Sequence, residues 1–185
     1  VTADQEWEHP PAARERPEED PEAVARAVCL RMLTGAPRTR AQLERALARR
    51  GIPEEVAETV LGRFGEAGLI DDAAFAEAWV DSRHAGRGLG RRALAAELRQ
   101  RGVADETVRE AVEELTPEQE EATARRLVRR RLDATRGRPV EVRVRRVMGM
   151  LARKGYSAGL AYRLVREELE AVEEELAGFE PPDLD

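Results

Sequence analysis

LERALARRGIPEEVAETVL (43–61), LAAELRQRGVADETVREAV (94–112) and VMGMLARKGYSAGLAYRLV (147–165) are one pattern written three times, about fifty residues apart. In each, one apolar residue stands eight positions before a glycine and a leucine stands four before it. The sets are Leu43 and Leu47 before Gly51, Leu94 and Leu98 before Gly102, and Val147 and Leu151 before Gly155. Four residues is just over one helical turn, so each pair shares a helix face. The glycine can take the left-handed conformation that ends a helix. A hydrophobic residue follows it and a second helical pattern begins. The unit is helix, tight turn, helix, and its repetition predicts an all-α stacked array of the kind that binds long partners rather than catalyses.

Working outward, the chain divides at its glycines and prolines. Residues 1–21 are rich in proline and acid with an isolated Trp7, which reads as a disordered acidic arm. Residues 22–70 form a first three-helix repeat, broken at Gly35-Ala36-Pro37 and restarted at Thr39, with Gln42 placed for a capping box. Pro53 is expected in the first turn of its third helix. The second repeat, 71–115, opens with Asp71 or Asp72 as N-cap and buries Phe75, Trp79 and Val80. The third, 116–178, opens with the cap, proline and capping-box series Thr116-Pro117-Glu118-Gln119. Val140 to Val144 is locally strand-like and runs against the helix predicted over 140–154. An acidic tail, 179–185, remains.

Hydrophobic residues are 42% of the 185 but aromatics only 4%, so the cores must be aliphatic. No run of eighteen apolar residues spans a membrane, and no secretory signal pattern is read at the start. One cysteine, Cys29, cannot form an internal disulfide and fits core packing in a cytoplasmic protein. The net charge of −6 hides a segregation: −6 over residues 1–22, +8 over 23–165 and −8 over 166–185. Fields are screened over about 8 Å at physiological salt, so acidic ends need not cancel a basic face. The 166–185 segment could fold back as a phosphate mimic, in which case deleting 179–185 would tighten DNA binding.

The run GLIDDAAFAEAWVDSR (68–83), the loop Gly86 to Gly90 and RRALAAELRQRGV (91–103) closely resemble the RecX family, bacterial regulators of the RecA recombinase. The resemblance rests on Ile70, Asp71, Asp72, Phe75, Ala76, Arg83, Gly90, Glu97, Leu98, Arg101, Gly102 and Val103. It is strong over 23–115 and continues to about 170. It implies three tandem three-helix repeats forming an elongated curved array. It also implies docking in the groove of the RecA–single-stranded DNA filament, with inhibition of ATP hydrolysis, strand exchange and filament extension, in DNA repair, homologous recombination and the SOS response. A monomer is expected, with double-stranded DNA as a further candidate partner.

Two arginine-dense stretches supply the candidate contacts. They are Arg83, Arg87, Arg91, Arg92 and Arg99 in the second repeat, and Arg126, Arg129, Arg130, Arg143 and Arg146 in the third. Guanidinium groups bind phosphate bidentately, and local acidic neighbours are few. Six neutralised phosphates of a single strand would give a log–log salt slope of roughly −4. Other features read as structural. Trp79 is expected in the core and Tyr156 and Tyr162 at repeat junctions. Gly86-Arg-Gly-Leu-Gly90 follows a helix and lacks the lysine-serine/threonine of a phosphate loop, so it reads as a flexible joint. His84 reads as an exposed helix end. His9, His84 and Cys29 are too scattered for a metal site, and no catalytic constellation is drawn; no cofactor is expected. Of Asp71 and Asp72, one caps and the other is expected to meet basic residues of the neighbouring repeat. Two alternatives stay open: a sequence-specific helix-turn-helix protein, against which Glu54, Glu55 and Glu58 stand where base-reading residues would be wanted, and a helical interaction scaffold.

Overall fold

The computed structural model describes residues 20–177, with side chains through Ala171. Within them lie nine helices and no strand: α1 (Pro21–Gly35), α2 (Arg40–Arg49), α3 (Glu54–Glu66), α4 (Asp72–Arg87), α5 (Arg91–Gln100), α6 (Asp105–Glu113), α7 (Pro117–Asp133), α8 (Val140–Arg153) and α9 (Ala158–Ala177). Consecutive triplets form the repeats. The helix starts follow the predicted chemistry. Thr39–Gln42 and Thr116–Gln119 are complete capping boxes, and Pro117 occupies the first turn of α7. Asp71 caps α4, accepting from the Ala74 N–H at 2.9 Å. Pro53 lies one residue earlier than expected, as the N-cap of α3, which then begins with Glu54 and Glu55 at its positive end. Val140–Val144 is helical. Burial of Val147 and Leu151, with Val144 packed on the same cluster, outweighs the β preference of the branched residues.

Each repeat has its own core. Leu43, Leu47, Leu94, Leu98, Val147 and Leu151 are completely buried. They pack on Val60 and Leu61 in the first repeat, on Val80 and Val108 in the second, and on Val128 and Leu164 in the third. Cys29 is buried in the first core, and that burial pushes its thiol pKa up. All three turns are built alike. The amides of Ile52, Val103 and Tyr156 reach back to the carbonyls of Leu47, Leu98 and Leu151 at 3.1, 3.2 and 3.1 Å, closing the helix ends with a left-handed glycine between.

The repeats meet end to end through their middle helices. At the first junction the Thr39 hydroxyl, at the N-cap of α2, donates to the Arg101 carbonyl at the C-cap of α5 (2.8 Å). At the second, the Gly90 N–H at the N-cap of α5 donates to the Lys154 carbonyl at the C-cap of α8 (2.7 Å). The positive end of one helix thus faces the negative end of the next. A carboxylate of the following repeat completes each contact. Asp72 accepts from the Arg40 N–H and Glu120 from the Arg91 N–H, both at 2.9 Å. These amides are first-turn donors with no partner in their own helix. Asp72 therefore does meet the neighbouring repeat, but through its backbone. Gly102 and Gly155 let the turns press close: a Cβ on Gly102 would stand 2.4 Å from Ala41 Cβ, and one on Gly155 2.3 Å from Ala93 N.

Candidate nucleic-acid interface

The structure divides the predicted arginines by what they touch. Arg91 is fastened inside the second junction. Its Nε donates to the Leu115 carbonyl at 2.9 Å, its Nη2 donates to the same oxygen, and Nε lies 3.6 Å from Glu120 Oε2. Arg83 lies with its Cζ 4.1 Å from the Trp79 ring centroid and its Nε 3.7 Å from Glu97. Arg129 donates to Glu168 at 2.6 Å, and Arg99 donates to Asp105 at 2.6 Å. Arg143 reaches the Leu132 carbonyl at 3.4 Å. Arg92, Arg126, Arg130 and Arg146 form no ion pair among the described residues, and Arg87 has only a long one, 3.9 Å to Glu97. The acidic neighbours are more numerous than the local sequence implied. Glu121, one turn before Arg125 on α7, and Glu167 and Glu168, brought from afar by α9, converge on Arg125, Arg129 and Arg163. Part of the acidic C-terminal segment is thereby committed to packing repeat three. Expectations placed on residues 1–19 and 178–185 lie outside the described residues.

Three of the less engaged arginines converge. Arg87 at the end of α4, and Arg126 and Arg130 on α7, line a cleft of about 630 Å³ between repeats two and three. Lys154, from the turn after α8, joins them. Its Nζ donates to the Arg87 carbonyl, a cation at the negative end of α4. Thr123, Gly86, Gly88, Ala85 and Leu127 complete the lining, and no carboxylate belongs to it. Beneath it runs a hydrogen-bond chain. Arg126 Nη2 donates to Thr123 Oγ1 at 2.9 Å. Thr123 Oγ1 lies 2.9 Å from His84 Nε2, and His84 Nδ1 lies 2.8 Å from the Leu89 carbonyl. A carbonyl can only accept, so Nδ1 is the donor in that contact. His84 is thus a bridge between repeats, not the exposed helix end expected. The glycine loop is likewise no free joint. Gly88 is buried and its carbonyl accepts from the Tyr156 hydroxyl at 3.0 Å, and burial pushes that phenol above its ordinary pKa. Tyr156 lies at the junction as expected, whereas Tyr162 is exposed.

The first junction is furnished differently. Phe75 and Trp79 stack with ring centroids 5.7 Å apart. The Arg101 guanidinium covers the Trp79 ring at 3.6 Å, and the indole N–H donates to Glu97 at 2.9 Å. These two rings are half-buried rather than core. Ala76 and Val80, on the adjoining face, take the core positions. Phe75 and Trp79, with Leu33, Pro37 and Leu69, line an apolar groove of about 450 Å³.

Sequence reading missed Lys154 as a member of this site. Its signal was positional: it aligns with Arg50 and Arg101, immediately before the repeat glycine, and in an end-to-end array that position faces the preceding repeat.

Comparison with known proteins agrees with this repeat structure. The profiles for the first, second and third three-helix domains of RecX match residues 25–64, 71–112 and 118–165. The regulatory protein RecX of Thermobifida fusca is 76% identical over 162 residues, covering 88% of this chain and 87% of its own. That of Streptomyces coelicolor is 61% identical over 159 residues, covering 86% and 85%. The crystal structure of RecX from Lactobacillus salivarius superposes with a TM-score of 0.74 at 18% identity, over 80% of this chain and 96% of that one. Three matched domains in order, and identities this high over nearly the whole length, establish that the chain belongs to the RecX family of regulatory proteins.

Proposed function

We propose that the chain is a non-enzymatic regulator that docks along the RecA–single-stranded DNA filament, inhibiting ATP hydrolysis, strand exchange and filament extension. Its setting would be cytoplasmic, in recombination and repair, with the chain acting as a monomer. The observation that carries the reading is family membership across all three repeats, with relatives named as regulatory proteins. The distribution of charge supports it. Among cations that could meet phosphates, Arg87, Arg92, Arg126, Arg130 and Arg146 are the least engaged internally, whereas Arg83, Arg91, Arg99, Arg129 and Arg143 already have partners. The mechanism is steric. An array lying in the filament groove blocks incoming duplex and restrains the subunit motions that accompany hydrolysis.

A sequence-reading role in the major groove loses support from the second helix of the first two turns. α3 opens with Glu54 and Glu55, and α6 with Asp105 and Glu106, carboxylates where base-edge donors would be needed. The test is RecA ATP hydrolysis on single-stranded DNA, titrated with this chain below one molecule per recombinase subunit. Inhibition is expected there, weakened in a folded Arg92→Glu, Arg146→Glu variant. No inhibition by the helical wild-type chain would refute the reading.

A further inference from the structure

We infer that the cleft between repeats two and three is a phosphate site for a nucleic-acid strand, and that a strand held there fastens the two repeats together. The contrast that points to it lies on one helix. α7 carries two arginine pairs at four-residue spacing, offset by one position. Arg125 and Arg129 are both bonded to Glu168, and Arg125 also to Glu121 and Glu167. Arg126 and Arg130 face the cleft and meet no carboxylate among the described residues. The same helix thus neutralises one face and leaves the other charged, in a chain with 37 acidic residues available. Arg87 and Lys154 bring two more cations to that unneutralised face from two other elements. Like charges gathered at close quarters repel, and an anion relieves that repulsion on entering.

The chemistry of the lining selects phosphate. Guanidinium forks match its oxygens, and the ammonium adds a point charge. The hydrogen-bond chain from Arg126 through Thr123 and His84 to the Leu89 carbonyl holds the floor in place before a ligand arrives. About 630 Å³ is within the range of ordinary ligand sites. The lining holds four cations and no aromatic ring, which favours the backbone of a strand over its bases. Arg87 belongs to repeat two, while Arg126, Arg130 and Lys154 belong to repeat three. A ligand contacting both sides binds the docked arrangement better than an opened one, and so shifts the equilibrium toward it.

This inference rests on the filament reading only for the source of the phosphates. The experiment uses the full chain without RecA, a fluorescent oligo(dT), and the variants Arg126→Gln, Arg130→Gln and Arg130→Gln alone, since Arg130 has no described partner to lose. The double variant is expected to bind oligo(dT) at least ten-fold more weakly, with the log–log salt slope reduced by about 1.4, two contacts at about 0.7 each. Hydrogen exchange at residues 86–90 and 154–156 is expected to slow on binding in the wild type and not in the double variant. Unchanged affinity in both folded variants would overturn the site, and unchanged exchange on binding would overturn the fastening. Tripolyphosphate raising the melting temperature of the wild type, where oligo(dT) does nothing, would overturn the assignment to a strand. RecA inhibition, assayed in parallel, separates the two readings. A wild-type chain that inhibits RecA while the variants keep full oligo(dT) binding sinks the cleft alone. One that leaves RecA untouched while the variants lose oligo(dT) sinks the filament reading alone.

Discussion

The two junctions share a backbone plan and differ in nearly everything attached to it. In both, a middle-helix N-terminus meets the carbonyl before a repeat glycine, and an acid of the next repeat caps the first-turn amide. The first junction then presents an apolar groove edged by a guanidinium-covered indole, and the second a cationic cleft. Geometry that joins repeats is thus carried by caps and glycines, which leaves the flanking side chains free to differ. Gly51 supplies the control. Its φ of +77° matches the +83° of Gly102 and +85° of Gly155, yet no heavy atom beyond its own chain neighbours lies within 4 Å of the position its Cβ would take.

That three-way comparison makes the strongest prediction. Gly155→Ala forces a Cβ to within 2.3 Å of the Ala93 amide nitrogen and 2.9 Å of its Cα, atoms that cannot rotate away. Adding the left-handed penalty to an overpacking cost of similar size gives a loss of about 3 kcal/mol. Gly102→Ala meets the Ala41 methyl and should lose slightly less, and Gly51→Ala, with the backbone penalty alone, about 1 kcal/mol. Urea unfolding ranks the three. Equal losses would mean that the glycines serve only their own turns. Ala41→Gly should rescue Gly102→Ala by about 1–2 kcal/mol in a double-mutant cycle, because a methyl is the obstacle there. Ala93→Gly should rescue Gly155→Ala much less, since backbone remains in the way.

The capping carboxylates come next. Asp72→Ala removes an acceptor from the Arg40 amide and should cost about 1 kcal/mol. Glu120→Ala removes both the cap on Arg91 and a partner of its guanidinium, and should cost about 2 kcal/mol. If thermal unfolding of the two variants is indistinguishable, the guanidinium contact adds nothing and the junctions are energetically alike.

Local chemistry was legible from the chain alone wherever a short-range rule fixed it. Thr39 with Gln42, Thr116 with Gln119, and the buried pairs before each glycine follow from spacing. What sequence could not show was which face each long side chain would find across a junction. Trp79 reads as core because it sits among apolar residues, but its ring meets Arg101 from the end of α5. His84 reads as exposed because it ends a helix, but α7 brings Thr123 onto it. The arginine runs read as one surface. Glu167 and Glu168, some forty residues away, divide it into a neutralised and an unneutralised face. Pairing at that range is set by how α9 packs on α7, and no spacing rule reports it.

The smallest effect separates the junctions from the interior of repeat three. Glu121 is held at about 2, against an ordinary 4.5, first by the hydrogen bond from Arg163 and then by that from Arg125. Glu168 is also lowered. Burial pushes its carboxyl up, but the bonds from Arg129 and Arg125 outweigh that. Both carboxyls titrate lower in the folded chain, so on acidification the unfolded chain takes up protons first. Their contribution is complete above about pH 4.5 and is lost as pH falls toward 2. These groups bind α7 to α9 and do not touch α5. Amides of α7 and α9 should therefore lose protection in acid before the Gly90–Lys154 contact opens. In Glu121→Gln, where the charge is gone at every pH, the dependence of stability across that window should flatten. A variant whose acid transition overlays the wild type would show that the exposed edge of this network, screened by solvent, adds nothing to what the buried Glu168 already holds.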